Sequence, residues 1–157
     1  FNIKMKKIFF FICFIALFGC SGYEPLFSTK NISFYIKDVE NINGDTITKQ
    51  VIRNLSAYRK EVANKKNYVL KISSNSNNNI TSKDTKGEAL TYQLFINVDV
   101  EVFDNESKFP LNTFNFSKNF TYKNQVNKFD LGKYKENVKD DLVGKISEDI
   151  IIKLQSL

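Results

Sequence analysis

Histidine and tryptophan are absent from all 157 residues. Without histidine there is no Ser-His or Cys-His pairing and no imidazole metal ligand, so the commonest general-base and metal chemistries are excluded. The two cysteines, Cys13 and Cys20, are too few for a four-cysteine zinc site or a disulfide framework. Arginine is nearly missing as well, with only Arg53 and Arg59 against twenty-one lysines. Together with many Asn, Ile and Phe residues, that excess is what AT-rich coding produces. The charge of +6 and pI near 9.2 are therefore weak ground for a nucleic-acid partner, and none is expected. No apolar run is long enough to span a bilayer, since the longest is Ile8–Phe18 and a spanning helix needs roughly 20 residues. What remains, 42% hydrophobic and 25% charged, fits one ordinary globular domain with a short appendage.

The eleven-residue run has the length and flanks of a signal-peptide core, with Lys6 and Lys7 before it and Gly19-Cys20 after it. Met5 is the sole methionine, and residues 1–4 are read as lying upstream of the start. Leu17-Phe18-Gly19-Cys20 resembles the bacterial lipobox, where a small residue precedes a cysteine whose thiol takes a diacylglycerol. On this reading residues 1–19 are upstream residues and leader, and Cys20 is the lipidated first residue of the mature chain. Residues 20–31 form a tether that Pro25 keeps from being helical. The leader carries Lys4, Lys6 and Lys7 and no acid, so the mature charge falls to +3.

From residue 32 to 157 the hydrophobic periodicities describe one α+β domain. Ile32, Phe34 and Ile36 alternate along a first strand, Ile32–Lys37. Asn43-Gly44 turns the chain and Asp45 offers a helix N-cap. Ile47, Val51, Leu55, Tyr58 and Val62 then form one stripe of a helix of four or five turns. A second strand covers Asn67–Ser73, and polar, Asn-rich Ser74–Lys86 reads as a loop or a frayed hairpin end. The third strand is the longest, with Leu90, Tyr92, Leu94, Ile96, Val98, Val100 and Val102 on one face and Phe95 the apolar exception on the other. Asp104–Lys108 turns back into a fourth strand bearing Phe114, Phe116, Phe120 and Tyr122, its apolar face broken by Lys118. A helix from Leu131 to Leu154 closes the chain. The order β-α-β-β-β-α predicts a four-stranded, mainly antiparallel sheet with both helices packed on one face, because the strands cannot cover their own apolar side.

The run Cys20-Ser21-Gly22-Tyr23-Glu24-Pro25-Leu26-Phe27 resembles the mature N-terminus of the LptE family, the lipopolysaccharide-assembly lipoproteins, in its alphaproteobacterial form with Ser21 inserted. Ile52-Arg53-Asn54-Leu55, Ala89–Leu94, Thr121-Tyr122-Lys123-Asn124 and Ile151-Ile152-Lys153-Leu154 continue the likeness in order along the chain. The resemblance implies two helices on a four-stranded sheet. It also implies an outer-membrane lipoprotein, anchored by lipid and facing the periplasm, that plugs the lumen of an LptD-type β-barrel and helps deliver lipopolysaccharide to the surface. No catalysis and no cofactor or metal are implied. Ser21 fits outer-membrane sorting, since aspartate at that position retains enteric lipoproteins at the inner membrane. The resemblance further implies a basic residue before the long third strand that meets lipopolysaccharide phosphates. Lys86 stands there and Lys83 lies three residues upstream, the competing reading being two solubilising loop lysines.

Two other classes compete. Another outer-membrane lipoprotein, serving as a scaffold or binding module, also fits the lipobox and the element order. An enzyme would have to use carboxylate pairs such as Asp140-Asp141 or Glu148-Asp149. Adjacent residues on a helix diverge by about 100°, so neither pair converges on one site and a solvated helix face is the plainer reading.

Overall fold

Alternating side chains on four strands and one stripe on each of two helices share a single core. The structure, a computed structural model, describes residues 32–105 and 107–157. The leader, Cys20 and the tether lie outside the described residues. The elements are β1 (Phe34–Asn41), α1 (Thr46–Asn54) with a 3-10 turn at Leu55–Tyr58, β2 (Lys66–Lys83), β3 (Ala89–Asp104), β4 (Asn112–Lys123) and α2 (Lys128–Gln155). The sheet order is β1-β2-β3-β4. β2, β3 and β4 form an antiparallel meander, whereas β1 pairs with β2 in parallel through the α1 crossover. The expected α+β architecture is therefore the observed one.

Even-numbered residues of the meander face the helices. Leu94, Ile96, Val98, Val100 and Val102 of β3 are buried there with Leu70 and Ile72 of β2, against Val138, Leu142, Ile146 and Ile150 of α2. Ile47, Val51 and Leu55 bring α1 into the same cluster. Phe95 lies in the odd-numbered, outward series, as its place in the alternation implies.

Two elements depart from the sequence reading. The helix stripe expected to reach Val62 stops at Asn54, and the chain tightens into the 3-10 turn before Arg59. Val62 is exposed. Past Leu55, Tyr58 still packs on the core from the 3-10 turn and stacks on Phe34, but residues 59–64 are exposed. A helix that buries nothing further has little to hold it. The segment Ser74–Lys86, expected as a loop or a frayed hairpin end, is regular strand as far as Lys83. Its polar side chains do not prevent pairing, because β3 supplies a partner at nearly every step from Ser74↔Val98 to Lys83↔Ala89. Strand formation depends on such context more than on intrinsic preference. Ser74 is buried, and its hydroxyl lies 2.7 Å from that of Thr48 and donates to Asp45 Oδ2 at 2.9 Å. Asp45, the expected N-cap residue, spends its carboxylate on this tie rather than on a helix N–H.

A candidate site at the turn of the long hairpin

β2 is eighteen residues long and reaches roughly 60 Å at about 3.4 Å per residue. α1 begins over Ser74, as the Thr48 bond shows, and runs away from the hairpin turn. The last part of β2 and its partner on β3 therefore extend beyond α1. The turn itself is built by Asp84, whose Oδ1 accepts from the backbone N–H groups of Lys86 (2.9 Å) and Glu88 (2.8 Å). Gly87 takes φ +85°, a left-handed conformation that favours glycine.

Lys83 closes β2 and Lys86 sits within this turn, so both are held at one hairpin end, exposed. Among the described residues neither forms a salt bridge. With Asp84 committed to the turn backbone, their ammonium groups are left to solvent. Other lysines gather at the same end of the sheet. Lys123 pairs with Thr91, and Lys128 and Lys133 lie in the first turns of α2, which follows directly. Lys133 stands over the Phe129 ring, 5.4 Å from its centroid.

Apolar side chains intersperse these cations. Leu90, expected on the core face of the third strand, is 50% exposed; Ile80 is 49% exposed, Phe129 69% and Val126 fully so. Phe120 and Tyr134, also expected in the buried stripes, remain partly open. The floor of the surface is aromatic: Tyr92 stacks on Tyr122 at 5.6 Å, and Tyr134 meets Tyr122 edge-on at 6.0 Å. Burial raises the Tyr122 phenol above its ordinary pKa, Tyr92 adding to the shift, while its bond to Asn78 Oδ1 (2.9 Å) opposes it. Exposed apolar groups rimmed by cations suit an amphiphile that carries both hydrocarbon and negative charge. Sequence reasoning named Lys83 and Lys86 as candidates but not the apolar surface beside them. The signal was the tract Val126-Asn127-Lys128-Phe129, where two apolar residues flank a lysine outside any amphipathic stripe.

Three of the four carboxylates weighed for catalysis are separately engaged. Asp140 accepts from Gln50 at 2.8 Å, Asp141 pairs with Lys145 at 2.8 Å, and Asp149 pairs with Lys118 at 2.7 Å. Glu148 is exposed. Among the described residues no helix is long and apolar enough to cross a membrane.

The family model of LptE, lipopolysaccharide-assembly, matches residues 33–154, which is most of the chain and nearly the whole α+β unit. The chain belongs to the LptE family. The role of this LptE protein accordingly lies in lipopolysaccharide assembly, in a family of non-enzymatic lipoproteins that work with the transport machinery. Solved structures share its fold. Rare lipoprotein B from Shewanella oneidensis superposes with a TM-score of 0.59 at 13% identity, covering 76% of this chain and 94% of that one. Lipoprotein B from Nitrosomonas europaea gives 0.58 at 15% identity, covering 86% and 91%. A minor lipoprotein from Acinetobacter baumannii gives 0.55 at 13%, covering 80% and 92%. Among curated proteins, none matches the sequence.

Proposed function

We propose that this LptE protein is a lipid-anchored outer-membrane plug that partners an LptD-type β-barrel, and that its hairpin end handles lipopolysaccharide. The family match over residues 33–154 carries the reading. The lipobox-like Leu17–Cys20 supports the anchor, with Cys20 as the acylated residue and residues 20–31 as its tether to the domain. Two or three acyl chains hold a protein on a membrane where one gives only marginal binding. Lys83 and Lys86 meet phosphate groups as point charges, without the fork of arginine, so each contact is modest and weakens with salt. The apolar residues beside them receive hydrocarbon. The protein performs no catalysis in this role.

Affinity purification of the full-length protein from membranes tests the partnership: an LptD-type barrel should co-purify, and its absence would return the chain to the scaffold or binding-module class. Mass spectrometry of the same material should find acylated Cys20; an unmodified terminus at Ser21 or Gly22 rejects the anchor. Lys83→Glu with Lys86→Glu should reduce lipopolysaccharide binding at low salt while leaving barrel association unchanged. A folded double variant that binds like wild type removes both residues from the site.

A further inference from the structure

The two edges of the sheet are unequal. β1 is eight residues long, its register is broken between Ile36 and Asp38, and Arg59 binds Asp38 alongside it at 3.2 Å. Short length, irregular pairing and edge charge are devices that close a strand to further partners. β4 has fewer of them. It runs twelve residues without proline, and its register with β3 is unbroken from Lys123 to Asn112.

Asn124 N–H donates to the Leu90 carbonyl at 2.8 Å, which marks that pair as a hydrogen-bonded one. By the alternation of an antiparallel ladder, even-numbered residues of β4 direct their backbone groups to β3. Thr113, Asn115, Ser117, Asn119 and Thr121 direct theirs away from the sheet, where no described strand lies. Beside this edge, on the helix side, Phe114 and Phe116 of β4 and Asp149, Ile152 and Lys153 of α2 line a cleft of about 220 Å³. Liquid water occupies about 30 Å³ per molecule, so the cleft has room for a large apolar side chain. Ile152, 48% exposed, is its uncovered apolar wall.

We infer that the free edge of β4 and the cleft beside α2 form a strand-addition site for an extended segment of the barrel partner. This rests on the plug reading above. Outward N–H and C=O groups at alternate residues are matched by another extended backbone, and the added strand places alternate side chains on the helix side, over the cleft. An apolar side chain of the segment sits against Phe116 and Ile152. A carboxylate near it meets Lys153, which has no ion pair among the described residues. The wall of a closed barrel has no strand edge to offer, so the segment belongs to a barrel loop that enters the lumen. A second copy of this chain is the poorer occupant. Two β4 edges paired antiparallel about their centres bring both Lys118 side chains, each held by its own Asp149, opposite or diagonal to each other on one face, where the two ammonium groups crowd each other.

Proline at an outward position removes one edge donor and leaves the β3–β4 ladder intact. The test uses the full-length tagged protein co-expressed with the barrel. Ser117→Pro, Asn119→Pro and Ile152→Glu should each lower co-purified barrel at least tenfold, while Ser117→Ala and Asn119→Ala retain it. Hydrogen exchange on the wild-type complex guards against variants that fail to fold. Amides of Thr113, Asn115, Ser117, Asn119 and Thr121 should slow at least tenfold when the barrel is bound. Barrel co-purification with those amides still exchanging freely overturns the inference and leaves the plug reading standing. No co-purification with wild type overturns both. Protection of the same amides in a barrel-free homo-oligomer assigns the edge to a second copy and overturns the inference.

Discussion

Leu94 and Gln93 are neighbours on β3 that meet different worlds. Leu94 is buried beneath the helices, and Gln93 lies on the open face, where its amide donates to Asn119 Oδ1 at 3.2 Å. Truncating a buried leucine to alanine costs about 2–5 kcal/mol, through lost burial and the cavity it leaves. Leu94→Ala should lower the denaturation midpoint accordingly, whereas Gln93→Ala should change stability by no more than about 0.5 kcal/mol. Equal losses in a denaturant titration would mean that the faces are assigned wrongly. At this scale the alternation was readable from sequence for Leu94, Ile96 and Val98. It misled at Leu90, because periodicity says which face a side chain occupies and nothing about how far along that face the helices reach.

The elements show the same division. α2 was legible almost to its ends, because a four-residue repeat of apolar side chains persists along it; Asn127 caps it by accepting from Phe129 N–H at 3.0 Å. The strand character of Ser74–Lys83 was legible only as one of two readings, a loop or a frayed hairpin end, since its polar side chains answer to a partner on another strand. Gly132 and Gly144 interrupt α2, and a methyl group at either would meet nothing within 4 Å. Gly132→Ala and Gly144→Ala should each raise stability by about 0.5–1 kcal/mol, measured by thermal or urea unfolding. On β4, Lys118 breaks the apolar face and pairs with Asp149, both side chains more than a third exposed, so the pair itself contributes little. An inward-facing charge on an edge strand discourages pairing between copies. Lys118→Val should leave the monomer nearly as stable and promote self-association at high concentration, visible by light scattering. A variant as monomeric as wild type would deny Lys118 that guarding role.

For the whole molecule, burial raises the phenol pKa of Tyr58, Tyr68 and Tyr122, with Glu148 and Asp104 adding to the shifts of the first two. Tyrosine in an unfolded chain titrates near 10, so the stability these groups contribute is complete below that pH and is lost as pH rises above it. Unfolding free energy should therefore decline above about pH 10, with a tyrosinate absorbance change that accompanies unfolding. Phenols that ionise well before the loss of structure would contradict the assignment. The parallel pairing of β1 bears on the order in which the chain is made. Phe34 must wait for Lys66, and the whole of β1 and α1 leaves the ribosome before the strand that receives it. β2, β3 and β4, by contrast, meet their neighbours across short turns. Long-range pairing forms late because loop-closure entropy must be overcome first. The meander should nucleate folding and β1 should dock last, so a chain threaded across a membrane from its N-terminus keeps its first strand unpaired until β2 has followed.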